Sequence, residues 1–172
     1  MENSRVIFSG SNGRAVILVP YVDCGLTLEQ IIKKDVPKEA LDAEIVDVSV
    51  IPTDRTFRNA WVKQKGRVGV DLEKAKIIAH DIRRRLRSEE FKPYDDVIAR
   101  QIPGTSATDA EAARQLIRDK YAAIQSQIDA VTTAEELTSL TLAMQSGTLV
   151  VGVTARATTT TQKKTTTRKK RK

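Results

Sequence analysis

The stretch from Thr53 to Arg87, TDRTFRNAWVKQKGRVGVDLEKAKIIAHDIRRRLR, most constrains the fold. It holds the only Trp, the only His and the longest amphipathic helix signal. Asp71 is a candidate N-cap, because its carboxylate can accept from the free N–H groups of a first helical turn. Leu72, Ala75, Ile78, Ala79, Ile82 and Leu86 recur at helical spacing and make one apolar face. Glu73, Lys76, Arg83, Arg84 and Arg87 fall mainly on the other side. Upstream, Phe57 and Trp61 sit four apart and would share a face on a helical turn. Full burial of an indole removes roughly 150–250 Å² from water. At about 25 cal/mol per Å² that is an upper bound of roughly 4–6 kcal/mol, large beside a marginal stability. With aromatics at 4% of the chain, Phe57 and Trp61 are the expected core anchor.

The N-terminal part reads differently. Two β-branched runs, Arg5–Ser9 and Arg14–Val19, flank Gly10-Ser-Asn-Gly13, whose Asn-Gly suits a tight hairpin turn. The same turn lacks the Lys-Ser/Thr ending of a P-loop and the glycine spacing of a dinucleotide fingerprint, so the hairpin is favoured over a phosphate cradle. Thr27 is a candidate N-cap for a short helix through Leu28, Ile31 and Ile32 that ends before Pro37. Glu44–Ile51 suggests a third strand. Three strands and a helix lie near the lower limit for independent stability, so this unit is expected to lean on the helical part or on a partner.

Beyond the central helix, Pro93 suggests a break before a short apolar segment, Val97–Ile102, and Pro103-Gly104 a further one. Thr108-Asp-Ala-Glu111 matches a capping box. The helix after it would present Ala113, Leu116, Ile117, Tyr121, Ile124 and Ile128 on one face. Thr133-Ala-Glu-Glu136 opens a shorter helix with Leu137, Leu140 and Met144, closed by Ser146-Gly147. Leu149, Val150, Val151 and Val153 suggest a last short strand. The fold class expected is α+β: a small β-rich N-terminal unit (1–52) packed on a helical unit (53–155), with a disordered basic tail (156–172).

Charge belongs to that tail. From Gln162 onward stand Lys163, Lys164, Arg168, Lys169, Lys170, Arg171 and Lys172, with no acid. The whole chain has 29 basic and 22 acidic residues, so without these seven the remainder is formally neutral. The tail has no apolar residue after Ala157 and cannot order itself by burial. It is a candidate contact for DNA or for an acidic protein surface, or a solubilising appendage. Without aromatic residues it does not suit base-selective single-strand binding.

Enzymatic chemistry finds little support. His80 has no nucleophile or metal partner in sequence and reads as a helix-surface residue. Cys24 lacks a nearby base or cation to lower its pKa, and a single cysteine excludes an internal disulfide. Glu89, Glu90, Asp95 and Asp96 make poor chelate spacing and read as a solvated acidic turn. No cofactor or metal is expected. Arg83-Arg84-Arg85 spreads over about 200° of a helix, too wide for one flat contact surface. No run reaches membrane-spanning length and the N-terminus lacks a leader pattern, so synthesis in a cytoplasm is expected.

PTDRTFRNAW followed by VDLEKAKIIAHDIRRRLR, then Asp95, AARQLIRD and TAEEL, resembles a module of tailed-bacteriophage proteins. The segment from about Pro52 to Leu137 is similar to phage tail-assembly chaperones or tail-fibre-associated proteins. These carry Arg-x-x-Arg, an Asp, and a later Arg-Gln-x-Leu-Arg-Asp. The corresponding residues are Arg84, Arg87, Asp95, Arg114, Gln115, Arg118 and Asp119. Asp96 replaces a Trp of the pattern, and Gln-Leu-Ile-Arg-Asp lengthens its last motif. The resemblance implies a non-enzymatic virion or tail-assembly protein, present in multiple copies and docking on tail or capsid proteins. It further implies that Arg84 and Arg87 pair with Asp119 or Asp95 inside the helical unit, or contact a partner. A nucleic-acid-binding protein working through the basic tail is the alternative.

Overall fold

The structure, a computed structural model, describes residues 2–21, 23–100, 104 and 106–149. It is an α+β protein. Strands β1 (Ser4–Ser9), β2 (Ala15–Leu18) and β3 (Glu44–Asp47) form an antiparallel sheet in the order β2-β1-β3. Helix α1 (Leu28–Asp35) links β2 to β3. A second hairpin, β4 (Trp61–Gln64) and β5 (Arg67–Val70), leads into α2 (Leu72–Arg100), α3 (Ala107–Ala130) and α4 (Ala134–Gln145). Among the described residues no helix is long and apolar enough to cross a membrane.

The first hairpin follows its turn chemistry. Gly13 adopts φ 71°, and the Gly10 N–H donates to the Arg14 carbonyl at 2.8 Å. The Thr27 hydroxyl accepts from Gln30 N while the Gln30 side chain accepts from Thr27 N, a complete capping box. The third strand is shorter than its apolar run. Asp47 accepts from Ser49 N at 2.9 Å, and this cap turns Val48–Val50 into a 3₁₀ turn outside the ladder.

The expected helical pairing of Phe57 and Trp61 does not occur. Phe57 precedes a single 3₁₀ turn, Arg58–Ala60, and Trp61 opens β4. Both are buried, at 2% and 4% exposure, but in different clusters. Trp61 packs with Ile7 and Val68 between the two sheets, whereas Phe57 joins Ala60, Ala75 and Ala79 in the helical core. Lys65-Gly66, with Gly66 at φ 70°, makes the two-residue turn that selects the hairpin over the helix.

Asp71 caps α2, its carboxylate accepting from Lys74 N at 3.2 Å. The helix then passes through Pro93 instead of ending there. Proline removes one N–H and crowds the preceding turn, at about 3 kcal/mol in a helix interior. Contacts on both sides of it offset this cost: Phe91 and Tyr94 pack on the helical core, and Asp95 meets Arg114 of α3. Helix α3 is capped by Ser106, whose hydroxyl accepts from Asp109 N, and Thr108 falls within its first turn. The buried stripe of α3 is Ala110, Ile117, Tyr121, Ile124 and Ile128, and Leu116, about 100° away, is exposed. Helix α4 is capped by Thr133, and Glu136 reaches back to Thr132 N, one residue beyond the expected box partner. Gly147, at φ 71°, closes it. The expected strand beyond Leu149 lies outside the described residues, as do Ile102, Pro103 and the basic tail.

Candidate functional site

The motif residues of α2 and α3 meet around Phe91. The guanidinium carbons of Arg114, Arg87 and Arg118 stand 5.4, 5.9 and 5.9 Å from its ring centroid. A ring face attracts cations through its quadrupole, and each such contact is worth about 0.5–1 kcal/mol at a surface. Carboxylates complete the cluster. Arg114 Nε lies 3.1 Å from Asp95, in ion-pair contact though not aligned as a hydrogen bond. Glu111 takes Arg114 on one oxygen at 3.0 Å and Arg118 on the other at 2.8 Å. The Arg118 hydrogen bond, followed by the charges of Arg118 and Arg114, holds the Glu111 carboxyl below the usual range.

This arrangement corrects the expected partners. Arg84 pairs with Asp81 on its own helix, and Arg87 stacks on Phe91, so neither meets Asp95 or Asp119. Asp119 accepts from Gln115 at 2.9 Å. The pairing that does join α2 to α3 is Arg114 with Asp95. Phe91 itself was missed, although its place four residues after Arg87 puts the two on one helical face.

Arg83, expected on the polar side, is buried. It continues the Ala75–Ala79 stripe one turn further. Its stem lies in the helix interface and its Nη1 donates to the Tyr121 carbonyl at 3.1 Å. Lys120 and the Tyr121 hydroxyl both donate to Glu90, at 2.6 and 2.8 Å. Burial first, then the Glu90 hydrogen bond and charge, push the Tyr121 phenol well above its ordinary pKa. His80 Nε2 lies 3.0 Å from Asp129, and Lys76 donates to the Asp129 carbonyl at 3.1 Å. These contacts lock the start of α2 to the end of α3.

The acidic residues near Pro93 are engaged separately: Glu89 with Lys92, Glu90 with Lys120, Asp95 with Arg114 and Asp96 with Arg100. Among the described residues no group of three or more His, Cys, Asp or Glu is placed to hold a metal. Cys24 is exposed.

Sequence reasoning also missed a cross-link between the two sheets. Lys63, whose side chain is 6% exposed, donates to Glu44 at 2.7 Å and lies 3.7 Å from Asp42. Glu44 also accepts from Gly66 N, and Asp42 from the Ser9 backbone and hydroxyl. Partners 19 residues apart leave no local signal.

Beside β5 a cleft of about 570 Å³ opens, walled by that strand, by residues 52–54 and by the first turns of α4. Phe57 and Trp61 line it beside polar residues such as Asp54, Arg67 and Thr138. No family model, curated protein or solved structure matches the chain.

Proposed function

We propose that the chain is a non-enzymatic structural or tail-assembly protein of a tailed bacteriophage, acting by protein–protein docking in multiple copies. The observation that carries this reading is the use to which the arginine motif is put. Arg87, Arg114 and Arg118 are spent on Phe91, Asp95 and Glu111, so the motif stiffens a helical rod. The resemblance of residues 52–137 to tail-assembly and tail-fibre-associated proteins supports it. So do Val19, Tyr21 and Leu41, large apolar side chains exposed on the N-terminal part. The partners are other tail or capsid proteins, and the location is the virion, after synthesis in the host cytoplasm. Mass spectrometry of purified particles, and of complexes captured during assembly, tests this. Detection in particles supports a virion component, and detection only in assembly complexes supports a transient chaperone. Absence from both sinks the proposal.

A second reading, nucleic-acid binding, is favoured by the seven cations of residues 162–172. Full engagement of duplex DNA would make log K fall with log salt at a slope of about −6. Deleting residues 162–172 should abolish a salt-sensitive DNA mobility shift if the tail binds DNA. An unchanged shift removes that role.

A further inference from the structure

Alternate residues of β5 turn their polar backbone groups away from the hairpin. Asp71 N donates to the Ala60 carbonyl at 2.9 Å, in register with the Trp61–Val70 pairing. Bonded and non-bonded pairs alternate along an antiparallel ladder, so Val62–Gly69 and Gln64–Arg67 are the bonded pairs. Val68 and Val70 therefore aim their N–H and C=O groups outward, and among the described residues no backbone group meets them. Val68 is nevertheless only 5% exposed and lines the cleft. Peptide groups so far removed from bulk water are almost always paired, because an unpaired one is costly.

The groups around that edge define what can complete it. Directly opposed residues of an antiparallel ladder put their side chains on one face. Residues opposite Val70 and Val68 would thus share their face, on which Trp61 pairs with Val70 and, with Phe57, lines the cleft. The residue between them stands opposite Gly69, over which the Gln64 side chain lies, and nothing there selects its type. The next stands opposite Arg67, whose Nε donates to the neutral Gln64 side chain at 2.8 Å with no carboxylate in ion-pair contact among the described residues. The acids of the cleft are placed otherwise. Asp54 accepts from the Thr56 N–H and hydroxyl, and Glu135 stands in the first turn of α4, where free N–H groups favour it. The hydroxyls of Thr138 and Ser139 donate to carbonyls of their own helix, so β5 supplies the directional contacts.

We propose that this edge docks an extended segment of a partner protein as a third, antiparallel strand on β5, with the pattern apolar, any, apolar, acidic from its N-terminal end. The order follows from the strand direction, since an antiparallel segment meets Val70 first and Arg67 last. Its two apolar residues exchange backbone hydrogen bonds with Val70 and Val68 and cover the apolar floor at Phe57 and Trp61. Its carboxylate pairs with the Arg67 guanidinium across the ladder. Main-chain bonds supply the affinity, and the alternation of side chains with the one charge supplies the selection. The proposal rests on the docking reading and gives it a site and a peptide chemistry.

Selection from a library of random short peptides on the immobilised full chain tests this. The enriched peptides should share two apolar residues two positions apart, followed by Asp or Glu. A synthetic peptide of that sequence should slow amide exchange at Val68 and Val70 about tenfold or more, read relative to Ile7 in the other sheet. N-methylation of its two apolar residues removes the bonded donors and should abolish the effect. Arg67→Glu should exchange the acidic preference for Lys or Arg and leave the apolar spacing unchanged. Enrichment at helical spacing, no shared pattern, or a preference unmoved by Arg67→Glu overturns the proposal. Protection of Val68 and Val70 in the peptide-free chain equal to that of Gly69 also overturns it. If such protection is lost on dilution a second copy fills the edge, and if it is kept the chain fills the edge itself. Failure here removes the groove alone, because mass spectrometry of particles judges the assembly role separately.

Discussion

Thr141 is the residue at which the packing makes its sharpest thermodynamic statement. It lies on the buried stripe of α4 with Leu137 and Met144, at 0% exposure, and its hydroxyl has no hydrogen-bond partner among the described residues. A hydroxyl buried without compensation costs about 1–3 kcal/mol in protein substitutions. Thr141→Val exchanges it for a methyl of nearly the same shape. Both residues are β-branched with similar helix propensity, so the backbone contribution largely cancels. Stabilisation of about 1–2 kcal/mol is expected, or roughly 2–8 °C in Tm for a chain of this size. Urea denaturation should show a higher midpoint at unchanged slope, which assigns the gain to stability and not to a change in surface exposed. Thr141→Ser, which keeps the hydroxyl and removes the methyl, should lose about 1 kcal/mol. A Thr141→Val protein less stable than the parent would refute the reasoning, because the hydroxyl would then be hydrogen-bonded in the folded chain.

Two further predictions concern the clusters that join distant elements. Phe91→Ala removes the surface shared by three guanidinium groups and should cost about 2–3 kcal/mol in chemical denaturation, with Phe91→Leu recovering part of the apolar share but none of the cation contacts. Hydrogen bonds from Lys63 to Glu44 and from Ser9 to Asp42 depress both carboxyl pKa values from their ordinary 4.5 and 3.8. A depressed folded pKa contributes stability that is present above the unfolded value and is lost as pH falls through the folded one. Stability should therefore drop as pH is lowered below about 4.5, and Glu44→Gln should lessen that drop. An equal acid response in the two proteins would remove Glu44 from the account.

Much of the secondary structure is local chemistry and was legible in the sequence. The Asn-Gly turn, Thr27, Asp71 and Thr133 act on neighbours within a few residues, so their geometry is specified without knowledge of the fold. The Leu72–Leu86 periodicity locates the long helix for the same reason. The Trp61–Val70 hairpin was legible through Lys65-Gly66 but was masked by the four-residue spacing of Phe57 and Trp61, a helical signal on a chain that is not helical there.

Of the candidate site, the sequence marked Arg87, Asp95, Arg114 and Arg118 but not what each touches. An arginine's pattern position fixes its helix face, while its long stem lets tertiary packing choose between solvent, a carboxylate, a ring or a carbonyl. That choice buried Arg83 under Tyr121, set three guanidiniums around Phe91 and sealed Lys63 against Glu44. It also carried α2 through Pro93, since packing against α3 outweighs one lost backbone bond. What lies within a turn of the chain is determined by backbone sterics and short hydrogen bonds. What lies across the interfaces is decided only when desolvation is shared among residues far apart in sequence.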